Sequence, residues 1–216
     1  MADDDGGGSL RERKRLAAML RVQAVALDLF EERGFDEVTV EEIADASDVS
    51  PSSVYRYFGS KEGIVLWDEF DADQDDLLAL GIADPVPLEG LRRTIVTAVG
   101  AMTADGEARV RRRLALVMTT PALEAAATAQ VYQTSEVIGR QLASRLGRPE
   151  SDLEVQVFSH AFTGGLLGMV HHWHGTGFAE PLLAVIERVF EIFEEGLDIV
   201  TAPLPVAADA GATVRD

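Results

Sequence analysis

One short segment of the chain, residues 50–61, concentrates side chains that donate hydrogen bonds to an oxygen-rich partner. It holds serine hydroxyls, two tyrosine phenols on either side of an arginine, and a closing lysine. The chain has no cysteine, no glycine-rich phosphate loop and no nucleophile elbow, so the chemistry of this segment is recognition. The side chains concerned are Ser50, Ser52, Ser53, Tyr55, Arg56, Tyr57 and Lys61.

Two capped helices and a tight turn must position that segment. Thr39 followed by Glu42 has the spacing of a capping box, which predicts a helix start. Ser50 followed by Pro51 predicts a second helix start, and Gly59 suits the left-handed conformation that ends a helix. Two capped helices around a short turn form a helix-turn-helix, whose second helix can enter the DNA major groove.

The region from Leu16 to Trp67 resembles, without gaps, the DNA-binding signature of the TetR family of bacterial transcriptional regulators. The resemblance rests on Ile43-Ala44, on Val49-Ser50-Pro51 and on the run from Ser53 to Glu62, and it covers about a quarter of the chain. It implies a homodimeric repressor that binds a palindromic operator and is released by a small hydrophobic or amphipathic effector. It also implies a cytoplasmic protein without a cofactor that is not an enzyme.

The resemblance also assigns roles within the reading segment. Thr39 offers its N–H or hydroxyl to a phosphate, and Lys61 matches the family's phosphate-contacting lysine. Arg56 is the candidate for a bidentate contact with guanine, which discriminates bases by about 1–3 kcal/mol. The serines let the helix approach closely, and the tyrosines reach phosphate, sugar or thymine methyl groups. The predicted DNA-binding set is Thr39, Ser50, Pro51, Ser52, Ser53, Tyr55, Arg56, Tyr57 and Lys61.

Two positions depart from the family pattern. Ser47-Asp48 stands where the family usually has Ala-Gly, and Ser52 stands where it often has glycine. Because aspartate tolerates the left-handed conformation better than most residues, we expect the turn to form. Ser52 is expected to change the sequence preference and not the mode of binding.

The remainder of the chain predicts further helices. Its 216 residues are 47% hydrophobic and few runs alternate like strands, which favours an all-α protein of about nine helices. We expect a disordered N-terminus over 1–9, a helix-turn-helix domain over 10–60, a helical ligand-binding and dimerisation domain over 61–200, and a disordered tail over 201–216. The helices are predicted at about 10–33, 40–46, 51–58, 61–80, 88–103, 107–118, 121–146, 151–174 and 181–200.

The last two predicted helices carry stripes that suit helix packing. The segment 151–174, with a capping box from Ser151 to Glu154, has one small-residue stripe and one bulky apolar stripe. The last helix is apolar over a face too broad for a lone surface helix. We interpret the pair as half of a four-helix dimer interface, with an ordinary intrachain core as the alternative. The small stripe is Ala161, Gly164, Gly168 and Gly175.

The resemblance further implies a ligand cavity inside the later helices. The body resembles a TetR subgroup that includes the mycofactocin-system regulator, whose ligand is thought to be a fatty acyl-CoA. Trp67-Asp68 with Asp71, the run Arg109–Arg113 and Pro121-Ala122-Leu123 carry this resemblance. The arginine run either meets a CoA phosphate or is a solvated face. The candidate lining residues, which ordinary core packing would also explain, are Trp67, Met102, Met118, Phe158, Phe162, Met169 and Trp173.

Three histidines near residue 172 present the main alternative chemistry. His171, His172 and His174 suit a zinc site, and hence a metal-dependent enzyme. They lie at a predicted helix end, where histidine also complements the helix dipole. The second alternative is a helical adaptor that binds protein and keeps the DNA reader as a remnant.

The charge of the chain is strongly uneven. The formal net charge is −18, yet Ser9 to Gly63 has eight Lys or Arg against eleven Asp or Glu, so −15 lies elsewhere. An acidic body repels DNA at non-specific sites, or serves solubility alone. The basic run Arg11–Arg15 is expected either to reach DNA or to form a solvated face.

Overall fold

Helices make up all the regular structure in residues 10–68 and 74–196, which are the residues that this computed structural model describes. The predicted all-α class is confirmed, with ten helices in the described residues where about nine were predicted. They are α1 (Leu10–Arg33), α2 (Val40–Ala46), α3 (Pro51–Phe58), α4 (Lys61–Leu66), α5 (Gln74–Ile82), α6 (Pro87–Gly100), α7 (Ala104–Thr119), α8 (Pro121–Leu146), α9 (Leu153–Gly175) and α10 (Leu182–Glu195).

The first three helices, named here the reader (residues 10–58), begin and end where the caps predict. Ser50 Oγ accepts the backbone N–H of Ser53 at 3.2 Å, with Pro51 at the first helical position of α3. Gly59 ends α3 with a φ of +75°. After α1, the rings of Phe30 and Phe35 meet at a centroid distance of 4.9 Å across the turn.

The predicted fourth helix is shorter than expected. It ends at Leu66, and Trp67 leaves the helical conformation with a ψ of 132°. The carbonyl of Trp67 accepts an N–H from Gln23 at 2.8 Å and another from Arg113. Side chains from two other helices therefore hold the chain at the residue that directly follows α4. The next helix in the described residues is α5, the first helix of what we name the body (α5–α10).

The start of α9 also differs from its prediction. Its N-cap is Asp152, whose Oδ1 accepts the backbone N–H groups of Glu154 at 3.0 Å and Val155 at 3.3 Å. The predicted capping box starting at Ser151 is therefore wrong by one residue. Aspartate is a strong N-cap, and Arg148 holds this carboxylate at 3.2 Å.

Several predictions lie outside the described residues. They are the disordered ends over 1–9 and 201–216, the apolar position Phe70, the acidic position Asp71, and the last turn of the final helix, 197–200. Within the described residues the final helix ends at Glu195.

A first apolar cluster holds the reader together and extends into the body. Val38, Ile43 and Val54 are almost completely buried in it, and Val49 and Phe58 pack against it half-buried. Its other members include Val117 of α7 and Leu123 of α8. The reader and the body therefore share one packed boundary.

A second apolar cluster fills the body between α5, α6, α8, α9 and α10. Its largest fully buried side chains are Phe162, Trp173 and Phe190, and the rings of Phe162 and Phe190 lie 5.8 Å apart. This cluster surrounds the cavity described below.

A sharp bend of 110° separates α7 from α8. Thr120 takes an extended conformation there, and Pro121 starts α8 at its first position. By length and composition, no single helix among the described residues qualifies to cross a membrane, and only the bent pair α7–α8 passes that test jointly.

Candidate nucleic-acid interface and effector cavity

The start of α3 presents a network of hydroxyl groups to solvent. Ser50 Oγ lies 3.0 Å from Ser52 Oγ and 2.9 Å from Ser53 Oγ, and Ser53 Oγ accepts an N–H of Arg56 at 3.1 Å. Pro51 and Ser52 are exposed, and no bulky residue belongs to this first turn. The N-terminal end of α3 is therefore exposed and narrow enough to enter a DNA groove, as predicted. Its contact with DNA stays a prediction.

A basic aromatic face follows the serines along α3. Tyr55 is 48% exposed and Arg56 is exposed beside it. The guanidinium of Arg56 lies 5.2 Å from the ring centroid of Tyr57, and that of Arg15 lies 6.0 Å from the same ring. Two cations on one aromatic ring form a surface suited to phosphate. Arg15 connects the basic run of α1 with this face, which favours DNA contact over a purely solvated role for the run.

The turn between α2 and α3 forms without the glycine that the family usually has there. Asp48 adopts a φ of +56°, the left-handed conformation expected of it. Ser47 is buried, and its hydroxyl donates to the carbonyl of Ile43 at 2.6 Å. Arg21 of α1 donates to the Ser47 carbonyl at 3.1 Å. The expectation that the turn survives the Ser47-Asp48 sequence is confirmed.

Thr39 is engaged in its own capping box. Its backbone N–H and its hydroxyl donate to Glu42 Oε2 at 2.8 and 3.0 Å, and Arg33 donates to Glu42 Oε1 at 2.8 Å. The pKa of Glu42 is lowered from 4.5 to about 2, mainly by the hydrogen bond from the Thr39 N–H and next by the one from Arg33. A phosphate that binds Thr39 must therefore displace a carboxylate, and this contact remains a prediction.

Lys61 is turned toward the protein in this structure. Its Nζ donates to the carbonyls of Phe35 at 2.8 Å and Val38 at 3.0 Å, and lies 4.4 Å from the Phe35 ring centroid. Two of the three ammonium N–H groups are used in these bonds. Lys61 thus fixes the start of α4 to the segment between α1 and α2, and its predicted phosphate contact is not tested by this geometry.

A cavity of about 480 Å³ lies between α4 and the helices of the body, and every helix from α4 to α10 contributes lining residues. Its volume falls within the range of roughly 300–1,000 Å³ that small-molecule sites have. The lining is mainly aliphatic, with threonine hydroxyls from Thr94, Thr134 and Thr163 that the sequence pattern did not single out. Four of the seven predicted lining residues face it: Met102, Met118, Phe162 and Met169.

The other three predicted lining residues are used elsewhere. Trp67 caps α4 and packs its ring on Phe58 of α3 at a centroid distance of 5.8 Å. Phe158 packs against the second apolar cluster from one turn before the cavity. Trp173 is fully buried, and its indole N–H donates to the carbonyl of Glu180 at 2.8 Å. All three stabilise contacts between elements and do not line the cavity.

The arginine run on α7 ties elements of the chain together. Arg111 donates to the carbonyl of Phe178 at 2.6 Å. Arg112 donates to Glu31 and Asp28 of α1, both at 2.7 Å, and the bond to Glu31 raises the pKa of Arg112 above its usual value. These guanidinium groups are neither a simple solvated face nor free for a CoA phosphate.

The three histidine side chains near the end of α9 lie in different surroundings. His171 lines the cavity, His172 Nε2 lies 3.1 Å from a guanidinium nitrogen of Arg188, and the His174 ring packs on Phe178 at 5.6 Å. Over residues 10–68 and 74–196, no group of three or more metal-ligating side chains is arranged around one point.

One face of α9 and α10 has no partner among residues 10–68 and 74–196. Leu153 and Val157 on α9 are 75% and 58% exposed, and Ile192 on α10 is 44% exposed. On α9, a methyl group added at Gly164 or Gly168 would meet no atom within 4 Å apart from those of its own helix turn. This face combines exposed apolar side chains with small residues that permit close approach of another helix.

Two family models match the chain. The model described as bacterial regulatory proteins, tetR family, matches residues 23–66, and the model described as the MftR C-terminal domain matches residues 86–198. The second match alone covers more than half of the chain.

Curated relatives and solved structures agree with these matches. The putative mycofactocin biosynthesis transcriptional regulator MftR of Mycobacterium tuberculosis is 27% identical over 188 residues, covering 86% of this chain and 94% of that protein. The HTH-type transcriptional regulator TcmR of Streptomyces glaucescens is 31% identical over 149 residues, covering 65% and 66%. The structure of NalD, a repressor from Pseudomonas aeruginosa, has a TM-score of 0.55 at 21% identity, covering 85% of this chain and 98% of that chain.

A further solved structure shares the fold. FadR from Bacillus subtilis, in complex with stearoyl-CoA, has a TM-score of 0.55 at 18% identity, covering 82% of this chain and 98% of that chain. The matched families and curated relatives are transcriptional regulators, which confirms the prediction that the chain is not an enzyme. The chain belongs to the TetR family of bacterial transcriptional regulators, and its body carries the MftR C-terminal domain.

Proposed function

We propose that this regulator is a homodimer that binds a palindromic DNA operator, represses transcription there, and is released by a small hydrophobic or amphipathic effector. The observation that carries the proposal is the face of α3 formed by exposed Tyr55 and Arg56 with half-buried Tyr57, on a helix that is capped at both ends. Two such helices in a dimer enter major grooves about one helical turn apart. The proposal places the protein in the cytoplasm, where bacterial DNA lies.

The unpartnered face of α9 and α10 supports the dimer. Exposed Leu153, Val157 and Ile192 would be buried by a second copy, and Gly164 and Gly168 would let its helices approach closely. A groove along this face, lined by Ala161, Gly168 and Ile192 among others, offers a seat for side chains of the partner.

The cavity supports an effector with a long apolar part. Its walls are mostly aliphatic and methionine side chains, which adapt to varied ligands. The Bacillus subtilis FadR structure holds stearoyl-CoA, so an acyl chain, free or as an acyl-CoA, is the first class of effector to test. A ten- to hundredfold loss of operator affinity on effector binding corresponds to a coupling free energy of about 1.4–2.8 kcal/mol.

An electrophoretic shift assay on the DNA that flanks the coding region tests DNA binding. The wild-type protein is expected to bind a palindromic segment there with an affinity that falls steeply with salt, because phosphate contacts release counterions. Arg56→Ala is expected to weaken binding by about tenfold to a hundredfold, since a bidentate guanine contact contributes about 1–3 kcal/mol.

Arg93→Ala is the matched control for this experiment. Arg93 lies on α6 with 66% of its side chain exposed and pairs with Asp84, so its loss removes the same charge far from the reader. Equal affinities of Arg56→Ala and wild type at every site found, together with salt-independent binding, contradict the proposed function.

A further inference from the structure

A single buried guanidinium lies in the wall of the apolar cavity. Arg113 of α7 is only 8% exposed, and it is the one lysine or arginine among the described residues that line the cavity. Its Nη1 donates to the carbonyl of Trp67 and its Nη2 donates to a carboxylate oxygen of Asp68. Its Nε is buried and has no hydrogen-bond partner among the residues that the structure describes. One edge of the guanidinium is therefore paired, while the N–H at Nε is unsatisfied.

An unsatisfied buried N–H is costly, and a guanidinium binds a carboxylate best through two parallel N–H groups. A ligand carboxylate is thus the kind of group that would satisfy Arg113 in this position. The cavity provides the rest of such a ligand's environment, because aliphatic side chains such as Leu114, Val117 and Ile138 line the remainder.

Arg113 also holds the junction between the body and the reader. The Trp67 carbonyl that it contacts accepts a second N–H, from Gln23 of α1, at 2.8 Å. The same Gln23 amide donates to the carbonyl of Ile64 at 2.9 Å. The C-terminal end of α4 is therefore held between α1 on the reader side and Arg113 on the body side.

The geometry points to Arg113 as an anion-binding latch, at which the carboxylate of an amphipathic effector replaces Asp68 and the Trp67 carbonyl. The effector is then a molecule with a carboxylate at one end of an apolar chain, such as a fatty acid. Its binding releases the end of α4, so that the reader is no longer held in the DNA-binding position. This inference rests on the proposed function for its regulatory meaning, whereas the carboxylate site itself stands on the contacts of Arg113.

Isothermal titration of the full-length protein with decanoate, decan-1-ol and decanoyl-CoA, without DNA, tests the site. Decanoate is expected to bind at least about tenfold more tightly than the alcohol, because only the carboxylate forms charge-assisted hydrogen bonds with the guanidinium. Arg113→Gln is expected to lower the affinity for decanoate by about tenfold or more and to leave that for the alcohol within about twofold. Decanoyl-CoA, which has a thioester in place of that carboxylate, is expected to bind less tightly than decanoate.

Two further variants separate a latch from a purely structural role. Asp68→Asn removes the competing carboxylate, so decanoate is expected to bind more tightly, while ligand-free operator affinity falls. Arg148→Gln removes a guanidinium that pairs with Asp152 and Glu154 and does not line the cavity, and is expected to leave decanoate affinity unchanged. If Arg113→Gln does not fold, the decanoate affinity of Asp68→Asn still tests the proposed site.

The inference is overturned by equal affinities for decanoate and decan-1-ol, by tighter binding of decanoyl-CoA, or by an absence of any effect of Asp68→Asn on decanoate. It is also overturned if wild-type protein binds no decanoate. Because titration requires no DNA, these results differ from a failure of the proposed function, which appears as an absence of salt-sensitive operator binding.

Discussion

At the scale of single residues, Glu42 makes the stability of the reader depend on pH. Its ionised carboxylate accepts the N–H and hydroxyl of Thr39 and an N–H of Arg33, which lowers its pKa from 4.5 to about 2. A carboxyl whose pKa is lower in the folded state stabilises the protein above its unfolded-state pKa. That contribution is therefore complete above pH 4.5 and is lost as the pH falls from 4.5 to about 2.

Glu42→Gln is expected to lower the urea midpoint at pH 7, with a difference from wild type that shrinks as the pH falls toward 2. The measurement is urea unfolding followed by circular dichroism, at low protein concentration because the range includes the pI of about 4.5. Glu41→Gln removes a charge from the same first turn outside the capping box and is the control. A constant difference between Glu42→Gln and wild type from pH 7 to pH 2 contradicts this account.

The sequence predicts residue roles well where the partners are near in the chain. The capping box at Thr39 and the left-handed Asp48 depend on neighbours within about one helical turn, and the structure has both. The partners of Lys61 lie 23 and 26 residues away, and Arg113 contacts Trp67 across 46 residues. Such contacts depend on how helices pack, so no local spacing indicates them.

At the scale of elements, two glycines set the packing of α5 against α6. A methyl group added at Gly90 would lie 2.0 Å from the carbonyl oxygen of Gly81 and 2.5 Å from Cβ of Asp84. A methyl group at Gly81 would lie 3.0 Å from Cα of Leu91. The two helices therefore touch backbone to backbone, beside the cavity that both of them line.

Gly90→Ala is expected to destabilise the protein by about 1–3 kcal/mol, because the added methyl group must push backbone and not a flexible side chain. For a chain of this size, that corresponds to a fall in melting temperature of roughly 2–4 °C per kcal/mol. Gly100→Ala on the same helix is the control, since its methyl group would lie 4.0 Å from Leu183 Cδ2, an ordinary contact. Equal melting temperatures for the two variants, measured by calorimetry, contradict the close approach.

The end of α4 shows why one element could not be predicted. Apolar positions compatible with a long helix continue past Trp67 in the sequence, and local propensity offers no stop there. The helix ends at Leu66, where Gln23 and Arg113, from two other helices, hold the carbonyl of the following Trp67. By contrast, α1, α2, α3 and α8 have the predicted bounds. Glycine or proline marks an end of α1, α3 and α8, and the Thr39 capping box and the left-handed Asp48 bound α2.

At the scale of the whole molecule, the reader and the body are joined through polar contacts that flank a shared apolar boundary. Arg112 pairs with Asp28 and Glu31 of α1, and Arg113 holds the end of α4. Consecutive arginines on α7 thus reach two helices on the reader side. A displacement of α7 around the cavity would change both of these contacts. A conformational change in the body would therefore act directly on the helices of the reader side.

The helical pattern of α9 and α10 indicated broad apolar faces but not which side of each faces the chain's own core. The structure divides them: Phe162 and Trp173 are buried inside, whereas Leu153, Val157, Gly164 and Gly168 remain outside. The intrachain-core interpretation therefore applies to the inner face, and the outer face is the one proposed to pair with a second copy.

The proposed pairing is tested by a charge placed in the middle of that outer face. Val157→Glu is expected to convert a dimer of twice 23.3 kDa into a monomer in sedimentation equilibrium, because burying an unpaired carboxylate is strongly unfavourable. Operator affinity is expected to fall by about a hundredfold or more, since the two half-sites are then bound independently.

Leu80→Glu on α5, at a residue that is 64% exposed, introduces the same charge away from the face and is expected to change neither quantity. A dimer that persists in Val157→Glu, or wild-type protein that sediments as a monomer at concentrations that saturate the operator, places the pairing surface elsewhere on the molecule.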